Sequence, residues 1–309
     1  MSAPHRSGFV GIVGRPNVGK STILNAYLGE KLAIVSPRPQ TTRHRILGVL
    51  TRPDAQIMFL DSPGLHEAQH ALGRYMLEVA KAVLEEADVL VVVIDATRGV
   101  TKDDERVFAQ LKRVLRESQR GAGPRTALLA INKVDLVKKP KLLPLLEACA
   151  KVGVFAECIP VSALKGEQMT VLLERIIAAL PEGPQWYEPQ QHTDQTTTQL
   201  ISEFIREQVL LATHEEVPHA IAVLVDRVTE QPRLISIDAT ILVERPGQKA
   251  IVIGRQGMML KRIGQAARQQ LERVLGRKIY LGLWVKVAEG WRSDERMLKQ
   301  LGYTGTSSS

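Results

Sequence analysis

The stretch Gly14-Arg15-Pro16-Asn17-Val18-Gly19-Lys20-Ser21 constrains this chain more than any other. It reads Gly-x-x-x-x-Gly-Lys-Ser, a phosphate-binding loop, and lies between an apolar run at 9–13 and a helical pattern at 21–28. A strand that feeds a helix through such a loop leaves successive backbone N–H groups aimed at one point. The helix start adds unpaired donors and the positive end of its dipole. Glycine lets the backbone curl through conformations closed to other residues. In this setting Lys20 supplies a point charge for β- and γ-phosphates, and Ser21 supplies a hydroxyl for Mg²⁺.

Apolar runs and helical periodicity alternate downstream. Residues 32–35, 46–51, 56–60, 89–94, 127–131 and 155–160 are strand-like, and 72–85, 103–118, 142–150 and 169–180 are helical. The continuous apolar run at 89–94 suits a strand covered on both faces. The fold class is therefore α/β, a doubly wound, mainly parallel sheet with helices on both sides. Ligands of such sheets bind beyond the carboxyl ends of the strands, so chemistry-bearing residues belong on the loops just after them.

Three further motifs fall there. Asp61-Ser62-Pro63-Gly64 follows the strand at 56–60. Its carboxylate can hold Mg²⁺ through water, and Gly64 can bring an N–H to a γ-phosphate. Asn132-Lys133-Val134-Asp135 follows the strand at 127–131. A carboxylate at Asp135 accepts two N–H bonds from the Watson–Crick edge of guanine, a pair adenine does not offer, and an unmatched buried carboxylate rejects the wrong base. Ser162-Ala163-Leu164-Lys165 offers backbone N–H groups to the guanine oxygen, or a simple helix cap.

In this order and spacing the four motifs resemble those of the P-loop GTPases. The resemblance implies nucleotide contacts at Gly14 to Ser21, at Asp61 to Leu65, and at Asn132, Lys133, Asp135, Ser162 and Ala163. Gln40-Thr41-Thr42-Arg43-His44-Arg45 resembles the first switch of translation-factor-related bacterial GTPases. It implies that Thr42, with Thr41 as second choice, joins Ser21 and Asp61 as a Mg²⁺ ligand. Lys20, Thr42, Asp61 and Gly64 are then the residues expected to carry hydrolysis. Leu65 stands where Ras-like proteins carry a water-orienting glutamine, so slow intrinsic hydrolysis is expected. No arginine finger is identifiable; Arg43 and Arg45 are as easily RNA-facing or solvated. Asn17 resembles the asparagine that in related GTPases helps bind K⁺ in place of such a finger.

The chain has 309 residues, which favours two domains. No apolar run reaches about 18 residues, and the N-terminus lacks the apolar middle of a secretory signal. Cys149 and Cys158 are expected to be free thiols, and His66 and His70 to lie on the surface rather than bind zinc. A Pro- and Gln/Thr-rich stretch at 181–198 reads as a linker, with Trp186 and Tyr187 docking it against a domain.

The formal charge of +8 favours a polyanionic partner. The second half of the chain concentrates it. Between Arg245 and Lys286 lie Lys249, Arg255, Lys261, Arg262, Arg268, Arg273, Arg277 and Lys278 against one acid, Glu272. Within this segment sits Gly254-Arg255-Gln256-Gly257. Glycines allow close approach of a sugar-phosphate chain, and the cation between them meets its charge. The order helix (200–211), strand (220–228), strand (234–243), Gly-x-x-Gly, helix (to 275), strand (278–287) resembles a type II KH domain, an α+β module whose loop clamps about four nucleotides. Gly254, Arg255, Gln256, Gly257, Lys261 and Arg262 are the expected RNA-binding residues. Residues 249–253 read as a strand by composition; the resemblance alone implies a short helix.

A P-loop GTPase followed by a type II KH domain resembles the Era family across residues 9–303. The expected organisation is a GTPase domain at 1–180, a linker at 181–198, a KH domain at 199–303 and a disordered tail at 304–309. The resemblance implies GTP/GDP and Mg²⁺ as ligands, with K⁺ as a candidate. It implies a monomer that hydrolyses GTP, binds small-subunit (16S) ribosomal RNA near its 3′ end and assists biogenesis of the 30S subunit. A cytoplasmic location is implied, with part of the protein peripheral to the inner face of the cell membrane. The alternative is a membrane-associated signalling GTPase whose basic half binds acidic lipids; a non-catalytic RNA-binding factor is disfavoured by Lys20, Ser21 and Asp61 together.

Overall fold

The computed structural model describes residues 4–38, 40–65, 68, 70–118, 125–213 and 217–303. The expected tail at 304–309 and His66 lie outside them. The chain divides into two compact units: Met1–Ala33, Thr42–Glu67 and Met76–Asp194 form the first, and Ile34–Thr41, Ala68–Tyr75 and Gln195–Ser309 the second.

In the first unit β1 (Arg6–Val13) runs into α1 (Lys20–Leu28). β2 (Ile46–Thr51) and β3 (Ala55–Asp61) pair antiparallel. α2 (Ala71–Glu86), which belongs to this unit from Met76 onward, β4 (Val89–Asp95), α3 (Lys102–Ser118), β5 (Thr126–Asn132), α4 (Leu142–Ala150), β6 (Glu157–Pro160) and α5 (Met169–Ala179) follow. The strand order is β2-β3-β1-β4-β5-β6, with every pairing but β2–β3 parallel. Both faces are covered, and the two-residue period of each strand sorts its side chains between them. On β4, Val89, Val91 and Val93 pack in one core with Ile23, Leu24, Leu172 and Ile176. Leu90, Val92 and Ile94 pack in the other with Val83, Leu111 and Cys149. Both cysteines are free.

The strand expected at 32–35 does not form. Asn25 captures that backbone instead: its Oδ1 accepts from the N–H of Leu32 (3.1 Å) and Ala33 (2.9 Å), and its Nδ2 donates to the Ala33 carbonyl (2.7 Å). Groups satisfied by a side chain have no need of a sheet ladder. The stretch expected as a linker is fastened along the first unit. Gln56 Oε1 accepts from the N–H of Trp186 (2.6 Å) and Tyr187 (2.9 Å), and Thr193 Oγ1 donates to the Leu47 carbonyl (2.7 Å). Trp186 meets Phe9 edge-on, with ring centroids 6.3 Å apart.

The second unit contains α6 (Thr197–Ala212), β7 (Ala222–Glu230), β8 (Leu234–Val243), α7 (Pro246–Ile253), α8 (Met258–Leu275), β9 (Lys278–Val287) and α9 (Glu295–Gln300). Its three-stranded sheet has the order β7-β8-β9, antiparallel then parallel. Residues 249–253 are helical, as the resemblance implied and their composition did not. Pro246 opens α7, and Gln248 Oε1 accepts from the backbone N–H of Glu244 (2.9 Å) and Arg245 (3.0 Å), which closes its first turn. Among the described residues no helix is long and apolar enough to cross a membrane.

Candidate functional site

The four motifs follow β1, β3, β5 and β6, at the carboxyl ends of parallel strands. Two loop glycines are dictated by space. A Cβ at Gly14 (φ 151°) would come within 2.4 Å of the Val93 carbonyl oxygen, and one at Gly19 (φ 102°) within 2.2 Å of Asn132 Nδ2. Gly19 leads directly into α1. Lys20 is buried, with its Nζ donating to the carbonyls of Gly14 (3.1 Å) and Arg15 (3.0 Å). Burial lowers its pKa to about 8, against the raising effect of Asp61. Arg15 is taken up in a buried ion pair with Asp104 at 3.2 Å.

Ser21, Thr42 and Asp61 converge. Ser21 Oγ donates to Asp61 Oδ2 at 2.6 Å, Thr42 Oγ1 donates to the same oxygen at 3.3 Å, and the two hydroxyls are 3.0 Å apart. Asp61 Oδ1 is buried with no hydrogen-bond partner among the described residues. Burial raises the Asp61 pKa, despite the opposing charge of Lys20 and the bonds from Ser21 and Thr42. Two hydroxyls and a carboxylate with one oxygen to spare are hard oxygen donors suited to Mg²⁺ and its water ligands. These residues could hold that ion.

Around them the loops interlock. A Cβ at Gly64 would meet the Pro16 nitrogen at 2.6 Å, so only glycine permits this approach to the phosphate loop. Ser62 Oγ donates to the Ile12 carbonyl (3.1 Å), and the Leu65 N–H donates to the Gly14 carbonyl (3.4 Å). The Leu65 side chain is buried among apolar residues. Asn132 Nδ2 donates to the Val18 carbonyl (2.8 Å) while its Oδ1 accepts from the Ala163 N–H (3.0 Å). It thereby joins the phosphate loop to the loop of Ser162. Lys133 donates to the Asn17 carbonyl (2.8 Å) and to Asp95 Oδ2 (2.7 Å). Asp135 sits half-buried in the turn Val134–Leu136. Arg43 is buried, so it is not solvated, and Arg45 pairs with Glu86 (2.8 Å) and Asp194 (3.7 Å).

The sequence reading missed Asp95 and Asp104. Burial alone would raise the Asp95 pKa, but bonds from Lys133 and Thr97 outweigh it and hold the carboxyl below the usual range. The signal was present. Asp95 ends β4 as Asp61 ends β3 and Asn132 ends β5, a polar residue closing an apolar run.

In the second unit, Gly254 (φ 70°), Gln256 (φ 50°) and Gly257 (φ 76°) form a tight turn between α7 and α8. A Cβ at Gly254 would meet Met259 Cβ at 2.6 Å, whereas one at Gly257 meets nothing within 4 Å. Arg255, Gln256, Lys261 and Arg262 are exposed around the turn, which could take a phosphate backbone.

Known proteins agree with this geometry. Residues 9–133 match the family described as 50S ribosome-binding GTPase, and residues 216–292 match the KH domain. The chain is 44% identical over 300 residues to GTPase Era of Staphylococcus haemolyticus, covering 97% of each. It is similar to the crystal structure of Era in complex with MgGDPNP and nucleotides 1506–1542 of 16S ribosomal RNA, at 41% identity and a TM-score of 0.91, covering 97% of this chain and 99% of that one. It is equally similar to a point variant of Aquifex aeolicus Era bound to GDP·AlF4⁻, at 40% identity, a TM-score of 0.91 and the same coverage. The chain belongs to the Era family of GTPases.

Proposed function

We propose that this protein binds and hydrolyses GTP with Mg²⁺, binds small-subunit ribosomal RNA near its 3′ end through its second unit, and acts in 30S subunit biogenesis. The convergence of Ser21, Thr42 and Asp61 beside the phosphate loop carries the first part. Bound Mg²⁺ would supply charge neutralisation across the β- and γ-phosphates. Lys20 and the loop N–H groups hold the phosphates, Gly64 brings a backbone N–H to the γ-phosphate, and Asp135 selects guanine. Ser162 and Ala163 hold the base oxygen. Leu65 has no polar group to orient water, so unassisted hydrolysis is slow. The RNA part is supported by Gly254–Gly257 in its basic surroundings and by the RNA in the related crystal structure.

In this reading residues 1–180 are the GTPase domain and 199–303 the RNA-binding domain, with the protein a cytoplasmic monomer that touches the membrane at most peripherally. Nucleotide state acts on RNA affinity through the first switch. Within the second unit the buried Arg206, paired with Glu203, donates to the Thr41 carbonyl. The next peptide bond leads to Thr42, whose hydroxyl lies beside Ser21. Ordering by γ-phosphate is a known basis for such switches. The test is RNA affinity for a 16S 3′-end oligonucleotide with a GTP analogue and with GDP, beside binding to acidic vesicles. Tighter RNA binding in one nucleotide state is expected. Identical RNA affinities would remove the coupling, and vesicle binding without RNA binding would favour the membrane reading.

A further inference from the structure

β9 alternates along its whole length. Ile279, Leu281, Leu283, Val285 and Val287 pack in the core of the second unit, and Lys278, Tyr280, Gly282, Trp284 and Lys286 occupy the opposite face. Tyr280 and Trp284 are 59% and 54% exposed. The residues paired with them on β8 are Ser236 and Thr240, too short to cover a ring. A Cβ at Gly282 would lie 2.9 Å from Trp284 Cη2 and 3.1 Å from Cζ3. The indole thus reaches back over bare backbone that only glycine leaves open.

β9 is an end strand of its sheet and carries no acid. Among the described residues Lys278 and Lys286 have no ion-pair partner, whereas Arg277 next to Lys278 is held by Glu230 at 2.7 Å. Further across the sheet the charge reverses. Asp238 is paired with Gly282, where its Oδ1 would lie 2.7 Å from an added Cβ, and Asp226 accepts from Thr240 Oγ1 at 2.8 Å. A flat anionic membrane laid on this face would press against those carboxylates. A single strand running along β9 would meet both lysines and both rings and pass one carboxylate, Asp238, at Gly282. The backbones of Tyr280 and Trp284 are about 13 Å apart along the strand, with the indole leaning back over Gly282 toward Tyr280.

We propose that the outward strip of β9 is a second RNA surface, on which Tyr280 and Trp284 stack bases of a single strand and Lys278 and Lys286 meet its phosphates. This extends the RNA-binding reading above and adds to the grip of Gly254–Gly257. Aromatic rings flanked by cations bind single strands with little sequence preference, because every base offers a π-face.

The test uses the full chain at one salt and one nucleotide state. Two unstructured oligoribonucleotides are compared by fluorescence anisotropy, one of about four nucleotides, enough for the glycine loop, and one of about twelve, within the range of single-strand sites. Trp284→Ala and Tyr280→Ala are each expected to weaken the longer one by about tenfold and leave the shorter one unchanged. Trp284→Phe should restore most of the affinity, since it keeps a stacking face. Unchanged binding of the longer strand in Trp284→Ala would overturn the proposal, as would a loss shared equally by the Phe and Ala variants. Loss of binding to acidic vesicles in place of RNA would overturn it in favour of a lipid surface. Gly257→Asp is measured in parallel. If it weakens neither strand, the glycine-loop reading fails, while the β9 surface is still judged by its own variants.

Discussion

Ser21 Oγ, in the first turn of α1, lies 2.6 Å from Asp61 Oδ2, at the end of β3, and donates to it. The other carboxylate oxygen is buried and without a partner among the described residues. Asp61→Asn keeps the shape and removes the charge. GTP affinity in the presence of Mg²⁺ should fall by about 10–100-fold, as for groups that orient a metal's ligands. Affinity in chelator should stay the same. A fluorescent guanine nucleotide titrated with and without Mg²⁺ checks this; equal losses in both would mean that Asp61 acts on the loop and not on the ion.

Asp135 should set the base. Guanine presents two N–H donors to a carboxylate, and Asp135→Asn replaces one acceptor by a donor. GTP affinity should drop by about 100-fold or more, because a buried donor then faces a donor. Xanthosine triphosphate, which carries an oxygen where guanine carries the amino group, should bind better than GTP. Competition between the two nucleotides reads this directly. Retained preference for GTP would place base selection elsewhere.

The doubly wound sheet was legible because each of its strands is an apolar run, and the motif loops because they follow those runs. Asn25 shows what was not. Nothing local to residues 32–35 says that a side chain from α1 will take their backbone hydrogen bonds. Asp95 was hidden for a related reason: its role depends on Lys133, which reaches it from another strand's loop. In α7 the β-branched Ile251, Val252 and Ile253 argued for a strand, and tertiary packing with Pro246 and Gln248 at the start overrode that preference.

Asn17 holds a positive φ of 65°, and its carbonyl accepts from Lys133 Nζ at 2.8 Å. Asparagine tolerates this conformation better than most residues. If its side chain helps bind K⁺, hydrolysis should run faster in K⁺ than in Na⁺ at equal ionic strength, and Asn17→Ala should abolish the difference. Phosphate release in the two salts decides; equal wild-type rates would remove K⁺ from the mechanism.

Gly254 and Gly257 should fail differently. Alanine at Gly254 collides with Met259 and strains a left-handed backbone, so it should lower thermal stability as well as RNA affinity. Gly257 faces open space, and aspartate tolerates its φ of 76°. Gly257→Asp should therefore fold normally, hydrolyse GTP at the basal rate and lose RNA affinity by about tenfold, through charge repulsion with the phosphate backbone. A melting curve beside an RNA titration separates the two cases.

Lys20 gives the pH dependence. Its folded-state pKa of about 8 lies below its ordinary 10.5 because burial disfavours the ammonium. Between those two values the unfolded chain binds more protons, so this group makes the nucleotide-free protein more stable as pH rises through that window. A polyphosphate beside Lys20 favours the charged form and raises its pKa. Nucleotide binding at about pH 9 should therefore take up a proton, and binding at about pH 7, where the amine is already charged, should take up none from Lys20. Calorimetry in buffers of different ionisation enthalpy measures the uptake. It should vanish in Lys20→Met, and uptake that persists in that variant would assign the proton to another group.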